Sequence, residues 1–244
     1  MDGTVLKQEN LMIPIEVRSF DEMHGVTLCV LSLNEEAIME EFLSYHRPYF
    51  DKILVADGGS EDRTVEIALD IADEVFFREF DGHYSNQCNR LFEKVRTDWI
   101  FLLDCDEKME KPVLENIPRM MDQEVYDCYS FPRKNFVDDE FQQYTFPDYQ
   151  ERMFRSYCRR IRPVHGEVVG HKCRKELAPV DGNFMIHRKL SKRDKCRNES
   201  YLFFEMKHKH EMGYPGCQVK ENYKKEYPQY SVESFNRIIE EKNG

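Results

Sequence analysis

The sequence predicts an α/β fold, a single domain with a mostly parallel central sheet flanked by helices. Two observations predict this fold class. Strand-like apolar segments alternate with segments of helical periodicity between residues 26 and 107, and the last of these strands, at 99–103, is an unbroken apolar run. Such a run is typical of a strand buried on both faces, as in a parallel sheet. Alternating strands and helices are the pattern of a doubly wound sheet.

The predicted elements follow one another without long gaps. Residues 26–33 are rich in β-branched and apolar side chains, which favours a first strand. A helix follows from Asn34 to about Arg47, because apolar residues recur there at helical spacing. Ser60 is predicted to cap the next helix. The remaining predictions are strands at 52–56, 74–77 and 99–103 and helices at 64–72 and 85–95.

Length and composition limit the class of protein. The 244 residues suffice for one large α/β domain, and a content of 41% hydrophobic and 13% aromatic residues suffices for a core. No apolar stretch reaches the roughly 18 residues of a membrane helix, and residues 1–10 lack the apolar core of a secretion signal. We therefore expect a cytoplasmic protein without a transmembrane segment, for which peripheral contact with a membrane stays open.

The cysteine and charge distributions narrow the ligand class. The eight cysteines form no C-x-x-C pair, so the sequence supports neither a zinc ribbon nor a redox motif, and free thiols are expected. The net charge is −11, yet residues 152–197 contain 14 Lys and Arg against 4 Asp and Glu. A basic segment within an acidic protein favours a phosphorylated ligand over nucleic acid.

Two carboxylates follow the last apolar strand. Asp104 and Asp106 would leave the carboxyl end of that strand, where open α/β sheets bind ligands. Alternation along an extended chain would place both side chains on one side. A Mg²⁺ ion carrying a diphosphate would offset their repulsion, because Mg²⁺ commonly binds one or two carboxylates together with substrate phosphates. Solvated acids at a strand end are the alternative interpretation.

A glycine turn after the second strand is another candidate site. Asp57 ends that strand and is followed by Gly58 and Gly59. Its carboxylate could accept hydrogen bonds from a base or a ribose, and the helix beyond the turn offers unpaired backbone N–H groups. The turn matches neither G-x-G-x-x-G nor a Walker loop, so the dinucleotide and ATPase interpretations lack their motifs.

In combination, these motifs resemble the family-2 glycosyltransferases of the GT-A type. The first half carries Asn34-Glu35-Glu36, Asp57-Gly58-Gly59-Ser60-Glu61-Asp62-Arg63-Thr64 and Asp104-Cys105-Asp106-Glu107. The second half is similar to the lipopolysaccharide-core β-glucosyltransferase branch. Its motifs are Pro147-Asp148-Tyr149-Gln150-Glu151-Arg152-Met153-Phe154, Val164-His165-Gly166-Glu167 and Ile186-His187-Arg188.

The resemblance implies a domain organisation. A GT-A (Rossmann-like) domain would cover residues 25–193, with a nucleotide-sugar half at 25–110 and an acceptor half at 111–193. Residues 1–24 are predicted to form an N-terminal extension, and residues 194–244 a helical C-terminal cover.

The resemblance also implies roles for residues of the donor site. Asp57 would bind the nucleobase, with Asn34 or Glu35 nearby. Asp104 would lie near the ribose or the sugar. Asp106 would bind a Mn²⁺ or Mg²⁺ ion that bridges the diphosphate.

Four further residues are assigned to the donor site. His187 would complete the metal site or hold the diphosphate, with Arg188 and Lys189 beside it. Asn89, on the helix before the apolar strand, is also assigned to nucleotide-sugar binding.

An acceptor site is predicted in the second half. Family-2 enzymes invert the anomeric carbon, which requires a base that deprotonates the acceptor hydroxyl. Asp148 is the first candidate for this base, because it follows Pro147 after a loop where an acceptor would enter. Glu151 and Glu167 are the reserve candidates.

The expected partners are a nucleotide-diphosphate sugar donor, a UDP-sugar first, and a glycan, glycolipid or glycoprotein acceptor, with no nucleic acid. Two alternatives stay open. A nucleotidyltransferase acting on a sugar phosphate would be expected to show a Gly-rich, basic loop after the first strand, where this chain has Asn34, Glu35 and Glu36. The other alternative is a catalytically silent sugar-binding protein on the same fold.

Overall fold

The computed structural model describes residues 24–191. The strands are β1 Val26–Ser32, β2 Lys52–Asp57, β3 Glu74–Phe77, β4 Trp99–Asp104, β5 Glu107–Met109, β6 Cys128–Val137, β7 Glu140–Phe141, β8 Asp148–Arg155, β9 Arg159–Ile161, β10 Glu167–Val169, β11 Arg174–Glu176 and β12 Met185–Lys189. The helices are α1 Glu36–His46, α2 Thr64–Ile71, α3 Tyr84–Phe92, α4 Lys111–Glu115 and α5 Ile117–Met121. Each strand and helix predicted from the sequence is present, with its ends shifted by a few residues at most.

One large sheet runs through this part of the chain, in the order β3-β2-β1-β4-β8-β6-β12-β5. From β3 to β4, neighbouring strands are parallel. The carboxyl ends of β1, β2 and β4 therefore lie at one edge, where Ser32 pairs with Asp57 and Leu31 pairs with Asp104. This α/β architecture confirms the predicted fold class.

Helices cover both faces of the parallel half. Along β4, Phe101 and Leu103 pack on the face covered by α1, α4 and α5, whereas Ile100 and Leu102 pack on the face covered by α3. All four side chains are buried. Burial on both faces is the reason why β4 is a continuous apolar run rather than an alternating one.

The second half of the sheet is mixed, and it contains a bulge. Strand β8 is antiparallel to both β4 and β6, and β12 is parallel to β6. Tyr129 pairs with Met153 but Ser130 pairs with Glu151, so Arg152 is an additional residue in β8. Bulges change the direction of a side chain and are common next to active sites.

One predicted cap is wrong. Helix α2 begins after Arg63, which makes no side-chain capping bond, and Ser60 lies too early in the turn to cap it. The side chain of Asp62 instead accepts the backbone N–H of Thr64 at 2.9 Å. Ser60 donates its hydroxyl to Asp57, which is a contact within the turn.

Other sequence predictions concern thiols, membranes and chain ends. The cysteines in the described part of the chain are free, as predicted. No helix within residues 24–191 is long and apolar enough to cross a membrane. The predicted N-terminal extension, apart from His24, and the predicted helical cover at 194–244 lie outside the described residues. The cytoplasmic location and the division at residue 110 stay predictions.

Candidate active site

Three acidic residues lie at the carboxyl end of β4. Asp104 ends β4, Cys105 and Asp106 form a turn, and Glu107 begins β5. Because the chain turns here, alternation along a strand does not set the directions of the two aspartates. The Asp104 carboxylate contacts Arg152 and is 45% exposed, whereas Asp106 is mostly buried and faces His187.

The Glu107 carboxylate is the centre of a buried charge network. Its side chain is 0% exposed. Oε1 accepts from Nη2 of Arg152 at 2.5 Å and from Nη1 of Arg133 at 2.8 Å. Oε2 accepts the backbone N–H of Asp104 at 3.2 Å. The same Nη2 of Arg152 reaches Oδ2 of Asp104 at 3.2 Å, so Glu107 fixes the group that holds Asp104.

The two arginines decide the protonation state of Glu107. Burial by itself would raise the pKa of the Glu107 carboxyl, but Arg152 and Arg133 outweigh it and hold the pKa below its usual value. Glu107 is therefore ionised, and it compensates two guanidinium groups that are nearly inaccessible to water.

Asp148 belongs to this network. Arg133 donates to Oδ2 of Asp148 through Nε at 2.9 Å and Nη2 at 2.6 Å, and Asn135 donates to the same oxygen at 2.9 Å. Gln150 donates to Oδ1 at 2.7 Å. Burial would raise the pKa of Asp148, but Arg133, Asn135 and Gln150 lower it below its usual value. A carboxylate so stabilised is a weak proton acceptor, which weighs against Asp148 as the general base; that role stays a prediction.

Asn135 connects Asp148 to His187. Its amide nitrogen donates to Asp148, while its Oδ1 lies 2.8 Å from Nδ1 of His187. Asn135 and His187 are paired residues of the parallel strands β6 and β12, so the sheet itself sets this contact. On the other side of the ring, Nε2 of His187 lies 3.3 Å from Oδ2 of Asp106. The structure thus brings Asp106 and His187 together, as the sequence predicted.

The glycine turn after β2 is built around Asp57. This residue is 1% exposed. Its carboxylate accepts the backbone N–H groups of Gly59 and Ser60 at 2.8 and 2.7 Å, and the hydroxyls of Ser60 and Ser32 at 2.6 and 3.1 Å. Four donors from the turn and from β1 thus occupy the Asp57 oxygens, which points to a structural role; contact of Asp57 with a nucleobase stays a prediction.

Asn34 and Glu35 lie in the loop after β1, and their hydrogen bonds connect this loop to the glycine turn. The backbone N–H of Asn34 donates to Oγ of Ser60 at 2.8 Å, and Oδ1 of Asn34 accepts the N–H of Glu61 at 2.9 Å. The backbone N–H of Glu35 donates to Oγ1 of Thr64 at 2.6 Å. Asn34 is exposed at the edge of the sheet, whereas Glu35 is buried.

The two reserve candidates for the base lie elsewhere. Glu151 contacts Arg174 at 2.7 Å and the backbone N–H of Val168 at 2.8 Å, on the face of the sheet away from Asp148. Glu167 begins β10 and pairs with Arg162 at 2.9 Å, where both side chains are largely exposed. Glu151 is thus engaged on the opposite face from Asp148, whereas Glu167 remains accessible; a catalytic role for either residue stays a prediction.

Three predicted nucleotide-sugar ligands have other contacts. Asn89 exchanges two hydrogen bonds with the backbone of Arg160, both at 2.8 Å, and so docks β9 onto α3. The guanidinium of Arg188 binds Asp139 at the surface. The backbone carbonyl of Lys189 accepts from the N–H of Asp138 at 2.9 Å. Both amide atoms of Asn89 are used in this docking contact, and the side chain of Arg188 is not brought to Asp106. Nucleotide-sugar binding by these three residues stays a prediction.

Sequence reasoning missed the residues that hold the site together. Glu107, Arg133, Asn135 and Arg152 were not predicted as site residues, although Glu107 and Arg152 stand within the motifs that carry the family resemblance. No local signal marks Glu107 as buried, because three residues separate it from the apolar run at 99–103. Nothing local marks Arg133 or Asn135, because their partners are distant in sequence.

Comparison with known proteins identifies the domain. The sequence model described as Glycosyl transferase family 2 matches residues 27–193, which extend from β1 past the end of β12. The chain belongs to this family. The mixed sheet with its flanking helices is the GT-A fold, and the family match includes the Glu107 network and the Asp106–His187 pair.

Curated relatives of the family share part of the chain. A TPR repeat-containing protein of Synechococcus elongatus is 27% identical over 101 residues, which are 41% of this chain and 25% of that protein. The SPbeta prophage-derived glycosyltransferase SunS of Bacillus subtilis is 26% identical over 135 residues, which are 53% of this chain and 31% of SunS. The chain thus spans about a quarter to a third of the length of these relatives.

Two solved structures are also similar. Glucosyl-3-phosphoglycerate synthase from Mycobacterium tuberculosis, determined with Mn²⁺, UDP and glucosyl-3-phosphoglycerate, has a TM-score of 0.37 and 20% identity over 47% of this chain and 44% of its own. TarS from S. aureus has a TM-score of 0.40 and 18% identity over 46% of this chain and 22% of its own.

We expect Asp57→Ala to destabilise the fold. The substitution leaves buried N–H and hydroxyl donors of the turn without an acceptor, and each such group costs about 1–3 kcal/mol. Urea unfolding should therefore show a loss of at least about 3 kcal/mol. Ser60→Ala removes the hydroxyl from the same cluster and should show a smaller loss in the same direction. Unchanged stability of Asp57→Ala together with weakened nucleotide binding would restore the original role in base recognition.

Glu107→Gln should also destabilise the protein, in a pH-dependent way. It removes the one carboxylate that both guanidinium groups share, so that Arg152 keeps only the partly exposed Asp104 and Arg133 keeps only Asp148. Breaking such a buried ion pair typically costs about 3–5 kcal/mol. Because the pKa of Glu107 is lowered in the folded state, its contribution is present above the unfolded pKa of about 4.3 and is lost as the pH falls through the folded pKa.

The measurement is the free energy of unfolding of Glu107→Gln and of the parent protein between pH 7 and pH 3. The difference should be largest at pH 7 and should shrink in acid. Glu115→Gln is the matched control, since Glu115 pairs with Lys111 at the surface and should change stability by less than about 1 kcal/mol. Equal effects of the two substitutions would contradict the role of Glu107.

Proposed function

We propose that this protein transfers a sugar from a nucleotide-diphosphate sugar to a hydroxyl group of a glycan, glycolipid or glycoprotein acceptor. Membership in glycosyltransferase family 2 and the similarity to the glycosyltransferase SunS support this reaction class. The observation that carries the proposal is the contact between Asp106 and His187 at the carboxyl end of β4. Ligands of open α/β sheets bind at this edge.

The residues at this contact fit a divalent cation. The amide nitrogen of Asn135 donates to Asp148, so its oxygen accepts a proton from Nδ1 of His187. In a neutral His187, Nε2 then carries a lone pair, and this buried atom has no hydrogen-bond partner among residues 24–191. A lone pair that faces a carboxylate oxygen at 3.3 Å is repelled, and a shared cation removes this repulsion. Metal-binding histidines typically donate their other N–H to an oxygen, as His187 does.

Asp106 and His187 would hold Mn²⁺ or Mg²⁺, which neutralises the charge that develops on the departing nucleoside diphosphate. Asp104, the more exposed of the two aspartates, would accept hydrogen bonds from hydroxyls of the ribose or the sugar. Arg152 fixes the direction of Asp104, and Glu107 fixes Arg152. UDP is the nucleotide that we propose for the donor.

The base that deprotonates the acceptor is reassigned. We propose inversion at the anomeric carbon, with Glu167 as the base in place of Asp148. Glu167 is 48% exposed, and its partner Arg162 is exposed as well, so water screens their pairing and an acceptor can displace it. Asp148 becomes a positioning residue, which orients Asn135 and through it His187.

We also propose that the chain falls within the branch of the lipopolysaccharide-core β-glucosyltransferases. Its support is the position of Asp148, Gln150 and Arg152, which come from one motif of that branch and converge on the same charge network.

The proposed inversion is tested by the anomeric configuration of the product, measured by proton NMR.

Asp106→Asn should abolish metal-dependent transfer. The amide is a poor ligand for a hard cation, so Mn²⁺ should no longer stimulate release of UDP from a panel of UDP-sugars, and calorimetry should show the loss of Mn²⁺ binding. Asp139→Asn is the matched control, because Asp139 is an exposed aspartate whose partner Arg188 points away from the site. Full activity of Asp106→Asn, or full activity of the parent in EDTA, would contradict the metal site. Pyrophosphate release from a nucleoside triphosphate would instead indicate a nucleotidyltransferase.

Asn135→Ala and Asp148→Asn should weaken metal binding without removing a ligand. Substitution of a residue that orients a metal ligand typically costs about 10- to 100-fold in affinity, so the Mn²⁺ concentration for half-maximal activity should rise by that factor while saturating Mn²⁺ restores most of the rate.

Glu167→Gln should change the rate of transfer rather than the affinity for Mn²⁺. It should bind Mn²⁺ normally and lose about 10²- to 10⁴-fold in rate at saturating metal. If Asp148→Asn shows the second pattern, Asp148 is the base after all.

A further inference from the structure

A second group of metal-ligating side chains lies outside the candidate active site. Cys128 begins β6, Glu151 lies in β8, and His171 lies in the segment between β10 and β11. One ligand atom from each residue, the sulfur, a carboxylate oxygen and a ring nitrogen, lies within 4.8 Å of the other two.

These three residues face away from the Glu107 network. Cys128 and Ser130 alternate with Tyr129 along β6, and Glu151 pairs with Ser130, so Glu151 shares the face of Cys128. Arg133 and its partner Asp148 lie on the other face. The bulge at Arg152 allows two adjacent residues of β8, Glu151 and Arg152, to serve separate clusters.

The structure holds His171 beside Cys128 by backbone contacts. Asp127, the neighbour of Cys128, accepts the backbone N–H groups of Lys172 and Cys173 at 2.7 and 2.8 Å. The main chain on the C-terminal side of His171 is therefore fixed to the start of β6. The cluster is built from ordered elements rather than from a flexible loop.

One atom of the cluster's histidine lacks a partner. Nδ1 of His171 is buried and makes no hydrogen bond to any residue in the range 24–191. A buried polar atom without a partner is uncommon, and an ion or a water molecule that binds it is a frequent reason. Cys128 is wholly buried, and burial raises the pKa of its thiol well above the usual value, so the thiol keeps its proton unless a cation displaces it.

We propose that Cys128, Glu151 and His171 form a binding site for one Zn²⁺ ion, independent of the proposed sugar transfer. A set of one sulfur, one nitrogen and one oxygen ligand suits zinc better than Mn²⁺ or Mg²⁺, which prefer oxygen. Tetrahedral zinc places such atoms about 3.3–3.6 Å apart, so the side chains need to move inward by about an ångström at most. A water molecule completes the fourth position.

Arg174 competes with the metal for Glu151. Its Nη1 lies 2.7 Å from Oε1 of Glu151, while Oε2 accepts the N–H of Val168. The Arg174 side chain is 42% exposed and can turn into solvent when a cation replaces it. The bound ion would tie β6, β8 and the segment before β11 together. Strand β8 carries Arg152, and the segment directly follows β10, which carries Glu167.

The test uses the full chain with the substitution Asp106→Asn, so that the other site does not contribute. After removal of metals, Co²⁺ is added as a spectroscopic substitute for Zn²⁺. Sulfur-to-cobalt charge-transfer absorption in the near ultraviolet should appear and saturate at one equivalent, and one equivalent of Zn²⁺ should abolish it. No charge-transfer absorption, or no zinc bound in equilibrium dialysis, would overturn the proposal.

Variants locate the ion. Cys128→Ser and His171→Gln should each lower Zn²⁺ affinity at least about 100-fold, because loss of a ligand exceeds the loss of a residue that orients one. Cys158→Ser replaces another buried cysteine outside the cluster and should leave the affinity unchanged. Arg174→Gln should raise the affinity by removing the competing cation. If Cys158→Ser abolishes the absorption while Cys128→Ser retains it, the assignment of the ligand is wrong.

Discussion

The structure of the candidate site depends on one buried carboxylate that compensates one buried and one partly buried guanidinium group. Glu107 receives Arg152 and Arg133 on the same oxygen, and each arginine then holds an aspartate, Asp104 or Asp148. A buried charge is tolerated only when it is paired and hydrogen-bonded. Removal of Glu107 weakens the contacts of both arginines at once, so the network fixes five side chains as a unit.

This unit separates two carboxylates that a single motif places one residue apart in the sequence. Asp104 remains exposed at the edge of the sheet, where a ligand can reach it, while Asp106 is directed at His187. The turn at Cys105 produces this separation. Pairing of β6 with β12 places Asn135 beside His187 and so selects which ring nitrogen carries the proton. The chemistry of the site therefore depends on strand register.

In the turn after β2, the hydrogen-bonding capacity of a polar side chain is likewise used within the fold. Asp57 satisfies the glycine turn and the end of β1, so the exposed polar groups at that edge belong to the neighbouring loop, with Asn34 foremost. A carboxylate at the carboxyl end of a parallel strand is thus not by itself a ligand contact. Its role depends on whether backbone donors already surround it.

The sequence by itself determined the parallel half of the fold and the place of the site. Continuous apolar runs and helical periodicity are local properties, so β1 to β4 and α1 to α3 could be read from residues 26–107 without knowledge of tertiary contacts. The same applies to Asp106 and His187, which stand in recognisable motifs. Only the tertiary structure decided what Asp57, Asn89 and Asp148 do, and which arginines reach Glu107. For Asp148 and Glu107 the answer depends on the antiparallel pairing of β8 with β6 and on its bulge, and for Asn89 it depends on the docking of β9 onto α3. These contacts join residues far apart in the chain and leave no periodic trace in the sequence. Asp57 is satisfied by its own turn and by Ser32 of the neighbouring strand β1.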